Sequence, residues 1–362
     1  MAVAEWELPG AGPGPQTAAE GLAAGAIDGP AGRSLPQVRT GRSGRARQHW
    51  VIATTWLSTV LLVAGAWSVA LMLTWRDQQD ALARAQRDSG NLARIIAEQT
   101  TRAIAGTDRI LSFLSYDLHR FGLNNPDMRD VLRNATQGSD ILVQLSYADA
   151  AGDVVQTSAE GGPGKINLAD REHFLVHKEG KVQGLFISRP VLGRVSKKWS
   201  IQLSRRIDGP EGSFGGMIVA SIDPFYFGRT FNELDVGEHG VISIFGQDGI
   251  LRARTDMNDQ IIGQDLSRSP VFAAALQQEA GFVRAPSAID GVTRLTSFRH
   301  LANYPLTVTA GFAEDEFFTE THRRRSVSLV VAGLVSLLLA GTATLVTRST
   351  ATGRRCCARR GS

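Results

Sequence analysis

The chain has 362 residues, is 43% hydrophobic and carries a formal net charge of +4, so it is long enough for two ordinary domains. The basic excess sits in the two tails and in Arg323, Arg324 and Arg325, while acidic residues outnumber basic ones between residues 76 and 322. That distribution excludes a nucleic-acid-binding domain and suits tails lying on anionic lipid. Both cysteines, Cys356 and Cys357, lie near the C-terminus. The intervening region therefore has to be stabilised by a packed core rather than by disulfides.

Residues 1–49 are rich in Gly, Ala and Pro, show little hydrophobic periodicity and are expected to be disordered. Trp50 to Trp75 contains no charged residue. It exceeds the roughly 20 residues needed to cross a bilayer and lacks the polar face of a core helix. It also starts too far into the chain, and is too long, for the apolar region of a cleaved signal peptide. The proline-free stretch from Arg76 to about Leu118 places Leu82, Ala85, Leu92, Ile95, Ile96, Ile104, Ile110, Leu111 and Leu114 near helical spacing. One long helix is expected over 76–120, continuous with the apolar segment and relaxed at Gly90 and Gly106.

Beyond this helix the chain repeats loosely with a period of about 100 residues. In the first copy, 121–227, ILVQLSY (141–147) and VVQTS (154–158) flank the turn ADAAGD. In the second, 228–322, VISIF (241–245) and ILRAR (250–254) flank GQDG. Asp/Gly turns between alternating strands signal hairpins. A short helix follows each hairpin, in LADREHFLVHKEG and in SPVFAAALQQEAG, where Ser269 before Pro270 forms an N-cap with proline at the first helical position. Three strands follow each helix, and both copies end in aromatic segments, DPFYF and EDEFF. The fold class is α+β: two tandem five-stranded antiparallel sheets with helices on one face, flanked by two membrane spans. The second span, 323–347, contains the uncharged run Ser326 to Thr347, and a short basic tail, 348–362, reads as irregular. Arg39, Arg42, Arg45 and Arg47 before the first span, and Arg348, Arg354, Arg355, Arg359 and Arg360 after the second, place both termini in the cytoplasm and 76–322 outside. The triplet Arg323 to Arg325 opposes that orientation but is outweighed. Adjacent Cys356 and Cys357 make a poor disulfide and are too few for a structural zinc site; palmitoylation and incidental reduced thiols both stay open.

This order of elements, together with DREHF, HKEG, LFISRPVLGRVSKKWSIQLSRRI and GSFGGMIVASIDPFYF, resembles the double Cache family of bacterial extracytoplasmic sensors on histidine kinases and diguanylate cyclases. The resemblance spans about 76–347. It implies a PAS-like membrane-distal module that binds a small carboxylate or amino acid, homodimerisation along the long helix, and location in the bacterial inner membrane. About 15 residues follow the second span, so the chain is expected to lack its output domain. It would then act through a full-length receptor or a separate output protein. No catalytic residue, cofactor, metal or nucleic-acid partner is expected, since no phosphate loop, nucleophile elbow or ligand cluster is visible. The alternative is a ligand-free structural or adaptor membrane protein that dimerises with a full-length receptor.

Candidate ligand contacts come from the basic hairpin 184–206. Strand alternation places Ile187, Arg189 and Val191 on one face, and Trp199, Ile201, Leu203 and Arg205 on one face opposite Ser200, Gln202, Ser204 and Arg206. Arg189 among apolar neighbours needs an anion, either a ligand carboxylate or an internal Asp or Glu. Trp199 is either a wall against the ligand's carbon chain or plain core. Arg171 follows Asp170, the expected N-cap, and shares a helix face with Phe174 and Lys178. It is a second anion contact or a surface ion pair. His173 and His177 are four apart, a zinc-compatible spacing without an evident third ligand, and His177 is more readily a pocket donor. Asp223 receives a ligand ammonium group or caps a turn before Pro224. Ser188 and Ser221 offer hydroxyls, and Phe186 and Tyr147 offer walls. The second copy lacks an equivalent Arg–Trp pair, and no ligand is expected there.

Overall fold

A computed structural model describes residues 43–121, 128–162, 164–231 and 233–359. The expected disorder of 1–49 falls, for 1–42, outside the described residues, whereas 43–49 are helical. Helix α1 runs without interruption over Ser43–Phe121, passing straight through Gly90 and Gly106. Helix α6, Glu314–Arg359, is likewise continuous, so the tail that read as irregular is helical as far as 359. Both helices are long and apolar enough to cross a membrane, with stretches of mean hydropathy 1.9 and 2.3. Their large apolar side chains are exposed, Leu61 and Leu337 among them, while the buried positions in these stretches are small: Ala70, Ala332 and Ala343. Trp67 Nε1 donates to Ser336 Oγ at 3.0 Å, joining the two helices at mid-span. Ser58–Val346 forms one compact unit holding both sheets, and the described ends, up to Leu57 and from Thr347, are helical and grouped apart from it.

The first module contains α2 (Met128–Thr136), β1 (Leu142–Asp149), β2 (Val154–Thr157), α3 (Glu172–Lys178), β3 (Phe186–Leu192), β4 (Trp199–Asp208), β5 (Phe214–Ile222) and α4 (Pro224–Phe231). The second contains β6 (Val241–Gly246), β7 (Leu251–Arg254), α5 (Pro270–Ala275), β8 (Ala280–Pro286), β9 (Thr293–His300) and β10 (Leu306–Ala313), which passes directly into α6. The sheets have matching antiparallel orders, β2-β1-β5-β4-β3 and β7-β6-β10-β9-β8. The expected repeat is present strand for strand. Helices α2 and α4 were not anticipated; the aromatic segment DPFYF begins α4 rather than closing the module. Gly216 in β5 adopts φ +137°, and a Cβ there would lie 2.2 Å from the Ala148 carbonyl oxygen, so the β1–β5 pairing requires glycine.

The apolar stripe of α1 organises both modules. Ala81, Ala85, Ser89, Ala93, Ile96, Thr100, Ile104, Thr107, Leu111 and Leu114 recur every three or four residues and are all buried. One core cluster joins this stripe to Leu145, Leu203 and Ile218 of the first sheet and to Ile242, Ile244 and Val308 of the second. Polar contacts set its register. Ser89 Oγ meets Ser297 Oγ of β9 at 2.7 Å. Asp108 accepts from Arg205 of β4, Nε at 2.6 Å and Nη2 at 3.0 Å. The opposite face of the first sheet carries a separate cluster around Phe174 of α3, with Ala148, Met217 and Val219. Helices therefore cover both faces rather than one, because each face of these strands has its own buried set.

The modules are also tied directly. Buried Arg252 of β7 donates from Nε to the Ser188 carbonyl at 3.0 Å, and from Nη1 and Nη2 to the Asp248 carboxylate at 3.0 and 3.1 Å. Arg189 Nε donates to the same carboxylate at 2.9 Å.

Leu111→Ala is expected to destabilise the full chain by about 2–5 kcal/mol, the range for a buried leucine. Gln86→Ala, at an exposed position of the same helix, should cost less than about 0.5 kcal/mol. Chemical denaturation in detergent, followed by circular dichroism, checks this, and equal losses would refute the spine role of α1.

Candidate functional site

The strands of the first sheet each have an apolar and a polar side. On β4, Ile201 and Leu203 turn towards α1, and Ser200, Gln202 and Ser204 turn away; on β1, Leu145 and Tyr147 turn towards it, and Gln144 and Ser146 away. Gln144, Ser146, Gln202 and Ser221 thereby form a polar row on the α3 face, all at most 5% exposed. Buried polar groups require partners. Ser221 Oγ donates to Gln202 Oε1 at 2.8 Å, and Gln202 Nε2 donates to Ser200 Oγ at 2.8 Å. Gln144 Nε2 donates to Ser146 Oγ at 3.3 Å, and Ser146 Oγ also meets Thr157 Oγ1 at 2.9 Å. Gln144 Oε1 is buried and accepts no hydrogen bond. Such an orphaned acceptor costs about 1–3 kcal/mol.

These four side chains floor a narrow cleft, partly open to solvent, that Arg171, His173, Val191 and Arg194 also line. It adjoins a shallower depression of about 710 Å³ that shares Arg171 and Arg194 and adds Pro190, Lys197 and Trp199. The β3–β4 turn forms the rim, and within it Lys197 adopts φ 57°, a conformation uncommon for a residue with a side chain.

The two rim arginines differ. Arg194 grips Asp170, Nη1 to Oδ1 at 2.5 Å and Nη2 to Oδ2 at 2.6 Å, and also donates to the Asn167 carbonyl. That bonding holds the Asp170 carboxyl below its ordinary range. Arg171 donates to the Leu192 carbonyl at 3.3 Å, and among the described residues no carboxylate pairs with it. The rim thus carries a surplus positive charge. The expected Asp170 cap is not formed: Arg171 occupies the N-cap position of α3 in extended conformation without a side-chain cap bond, because Asp170 is engaged by Arg194.

Burial, reinforced by the Arg171 charge, pushes His173 down to about 3. Burial pushes His177 down to about 4 against its hydrogen bond to Ser204, with Arg206 and Arg205 adding to the depression. Both are neutral at physiological pH. Ser204 Oγ donates to the His173 carbonyl, so His177 Nε2 is the donor in its 3.0 Å contact with that hydroxyl. Among the described residues no third metal-ligating group gathers around the pair.

Arg171 and Trp199 are thus placed together around the cleft, with Ser221 on its floor. Seven other residues named from the sequence lie elsewhere. Arg189 is 54% exposed and bound to Asp248, since a bulge between Ile187 and Pro190 interrupts simple alternation. Ser188 Oγ donates to the Arg189 carbonyl and accepts from Gln202 N, holding that bulge. His177 packs edge-on to Phe186 behind the cleft. Asp223 accepts from Phe225 N and pairs with Arg229, serving as the cap of α4. Tyr147 is fully buried on the α1 side, donating to the Gly215 carbonyl. Lys178 lies over the Phe174 ring, 5.8 Å from its centroid. Gln144, Ser146 and Gln202 were missed as site residues. Their signal was present as polar side chains at alternate strand positions, which read equally well as a solvent face.

A family profile described as dCache_1_like, histidine kinase sensor domain, matches residues 225–311. No curated protein sequence matches the chain. Among solved structures, the extracellular domain assigned to the histidine kinase rpHK1S-Z16 is 27% identical with a TM-score of 0.61, covering 65% of this chain and 97% of that one. The periplasmic sensory domain of the Campylobacter jejuni chemoreceptor Tlp1 gives 11% and 0.55, covering 66% and 98%. The ligand-binding domain of the Pseudomonas fluorescens chemoreceptor CtaA, in complex with L-isoleucine, gives 13% and 0.52, covering 67% and 98%. The latter two show the fold alone. The double Cache resemblance drawn from the sequence is borne out by the profile over residues 225–311 and by the rpHK1S-Z16 domain.

Because both histidines have depressed folded-state pKa values, their stabilising contribution is complete above the unfolded value near 6.5 and declines as pH falls towards about 4. In that window each unfolded histidine takes up a proton that the folded one refuses, costing about 1.4 kcal/mol per pH unit. His173→Asn should roughly halve the slope of stability between pH 6 and pH 4.5. An unchanged slope in denaturation measured across that range would contradict the buried, neutral assignment.

Proposed function

We propose that residues 76–322 are the extracytoplasmic sensor of a bacterial inner-membrane receptor, and that the first module binds a small carboxylate carrying an α-amino or α-hydroxy group. The observation that carries the reading is the buried Gln144 Oε1 without a partner, lying in a cleft whose rim holds Arg171 without a carboxylate. A ligand carboxylate satisfies the guanidinium bidentately. An N–H or O–H on the adjacent carbon satisfies the amide oxygen, and Ser221 and Gln202 extend the polar floor. Trp199 and Val191 offer apolar surface to the ligand's side chain. The complex of the structurally similar CtaA domain with L-isoleucine supports the amino-acid branch.

Two apolar helices flanking the modules, with exposed aliphatic surface, support membrane insertion. Arginine placement supports cytoplasmic termini. Homodimerisation along α1 would cover Ile95, Phe113 and Tyr116, which stay exposed. Signalling to an output partner then follows from β4. Its Gln202 faces the cleft, and its Arg205, on the other side of the strand, grips Asp108 of α1. A ligand that binds one β4 position more tightly than another shifts the population of α1 arrangements by that difference.

The test is isothermal titration of the full chain in lipid nanodiscs with L-amino acids, 2-hydroxy acids and unsubstituted organic acids. Arg171→Ala should weaken the best ligand at least tenfold, and Gln144→Met should abolish the preference for α-substituted over unsubstituted acids. Absence of binding by every acid would leave the ligand-free adaptor reading in its place, and unaltered binding in Arg171→Ala would remove the first-module cleft as the site.

A further inference from the structure

The second module buries two arginines in a cavity of its own. Arg254, the last residue of β7, is 3% exposed, and Arg294, in β9, is 6% exposed. Both line a space enclosing about 570 Å³ including its mouth, with Ser243, Thr296 and Thr309 as hydroxyl neighbours and Val241, Phe245 and Leu266 as apolar wall. A buried guanidinium is tolerated only with an anion in good geometry. Here one carboxylate serves both. Asp290 Oδ2 accepts from Arg254 Nη2 at 2.5 Å and from Arg294 Nη2 at 3.0 Å, and Oδ1 accepts from Arg294 Nη1 at 2.8 Å. Arg254 Nε is held by Asp256, and Arg294 Nε donates to the His239 carbonyl.

Asp290 does not belong to the sheet. It sits in the β8–β9 turn, closed by Ser287 N to the Val292 carbonyl at 3.0 Å and Gly291 N to the Ser287 carbonyl at 2.9 Å. The same turn supplies Ser287, Ala288 and Ile289 to the cavity wall. Its carboxyl lies well below the ordinary range: burial works to raise it, and bonds from Arg294, Ser287 and Val292 N outweigh that. The anion that satisfies the arginines is therefore carried on a surface turn, while the arginines are rooted in strands.

We propose that this cavity is a second binding site, for a short-chain aliphatic carboxylate, with Asp290 as an internal competitor for the same two guanidiniums. A ligand carboxylate takes over the bonds to Arg254 and Arg294, its alkyl chain enters the apolar part of the cavity, and Asp290 turns outward into water with its turn. The number of buried ion pairs is unchanged by the exchange, so the guest gains mainly through the burial of its carbon chain. The site is independent of the first-module cleft. It lay outside the sequence expectation because its arginines do not occupy the positions of the Arg–Trp pair sought there.

Full-length chain carrying Arg171→Ala, so that the first cleft does not contribute, is titrated in nanodiscs with sodium pentanoate and with pentanamide. Weak binding of pentanoate and none of pentanamide is expected. Asp290→Ala and, keeping the shape of the turn, Asp290→Asn should each tighten pentanoate at least tenfold by removing the competitor. Arg294→Met and the cavity-filling Ala285→Phe should abolish binding, with unfolding transitions recorded for each variant. Equal binding of acid and amide, no gain in either Asp290 variant, or full binding in either cavity variant would overturn the proposal.

Discussion

A β-strand has two faces, and in the first module both are claimed. The apolar side of β4 is pressed onto α1 by Ile201 and Leu203, and its polar side floors a cleft through Gln202. Everything proposed for this region depends on that division. In the proposed function, a group that engages the cleft acts on the same strand whose reverse side grips the spine helix, which is how binding would bias helix position. The apolar stripe of α1 extends the consequence to the second module, because the same core cluster includes Ile242, Ile244 and Val308.

Arginine is the recurring device for joining parts, and its partners decide its meaning. Arg205 clamps a strand to α1, Arg252 clamps one module to the other, and Arg284 of β8 clamps the first residue of α6 through Glu314. For Arg205 and Arg284 the partner is a carboxylate on another element, and for Arg252 it is the Ser188 carbonyl of the other module, so each bond fixes geometry between elements. Among the described residues Arg171 pairs with no carboxylate, and Arg254 and Arg294 share one between them. Exposed pairs such as Arg189 with Asp248 contribute little energy by themselves. Beside the buried Arg252, however, the same Asp248 carboxylate is needed to satisfy a desolvated charge.

The pattern of the fold was readable because it is written in local signals. Asp/Gly turns, period-two alternation and the Ser269–Pro270 helix start mark elements whose identity hardly depends on what packs against them. The site was less readable. Arg171 and Trp199 stood out in the sequence because an arginine beside a helix start and an isolated indole are conspicuous, whereas Gln144 and Gln202 did not. A polar residue on alternate strand positions looks the same whether it faces water or an enclosed cleft. Arg189 was favoured on the assumption of unbroken alternation, and a bulge ahead of Pro190 removed the basis for it.

Length, hydropathy and repeat order by themselves determined two candidate spans, a long helix and two look-alike five-stranded sheets, because each follows from periodicity along the chain. Which face of each sheet is covered by the spine and which encloses polar groups was decided only in three dimensions. So was the choice of partner for every arginine. Both depend on residues brought together from distant parts of the sequence, as Arg205 is with Asp108 and Arg254 with Asp290, and no local pattern encodes that proximity.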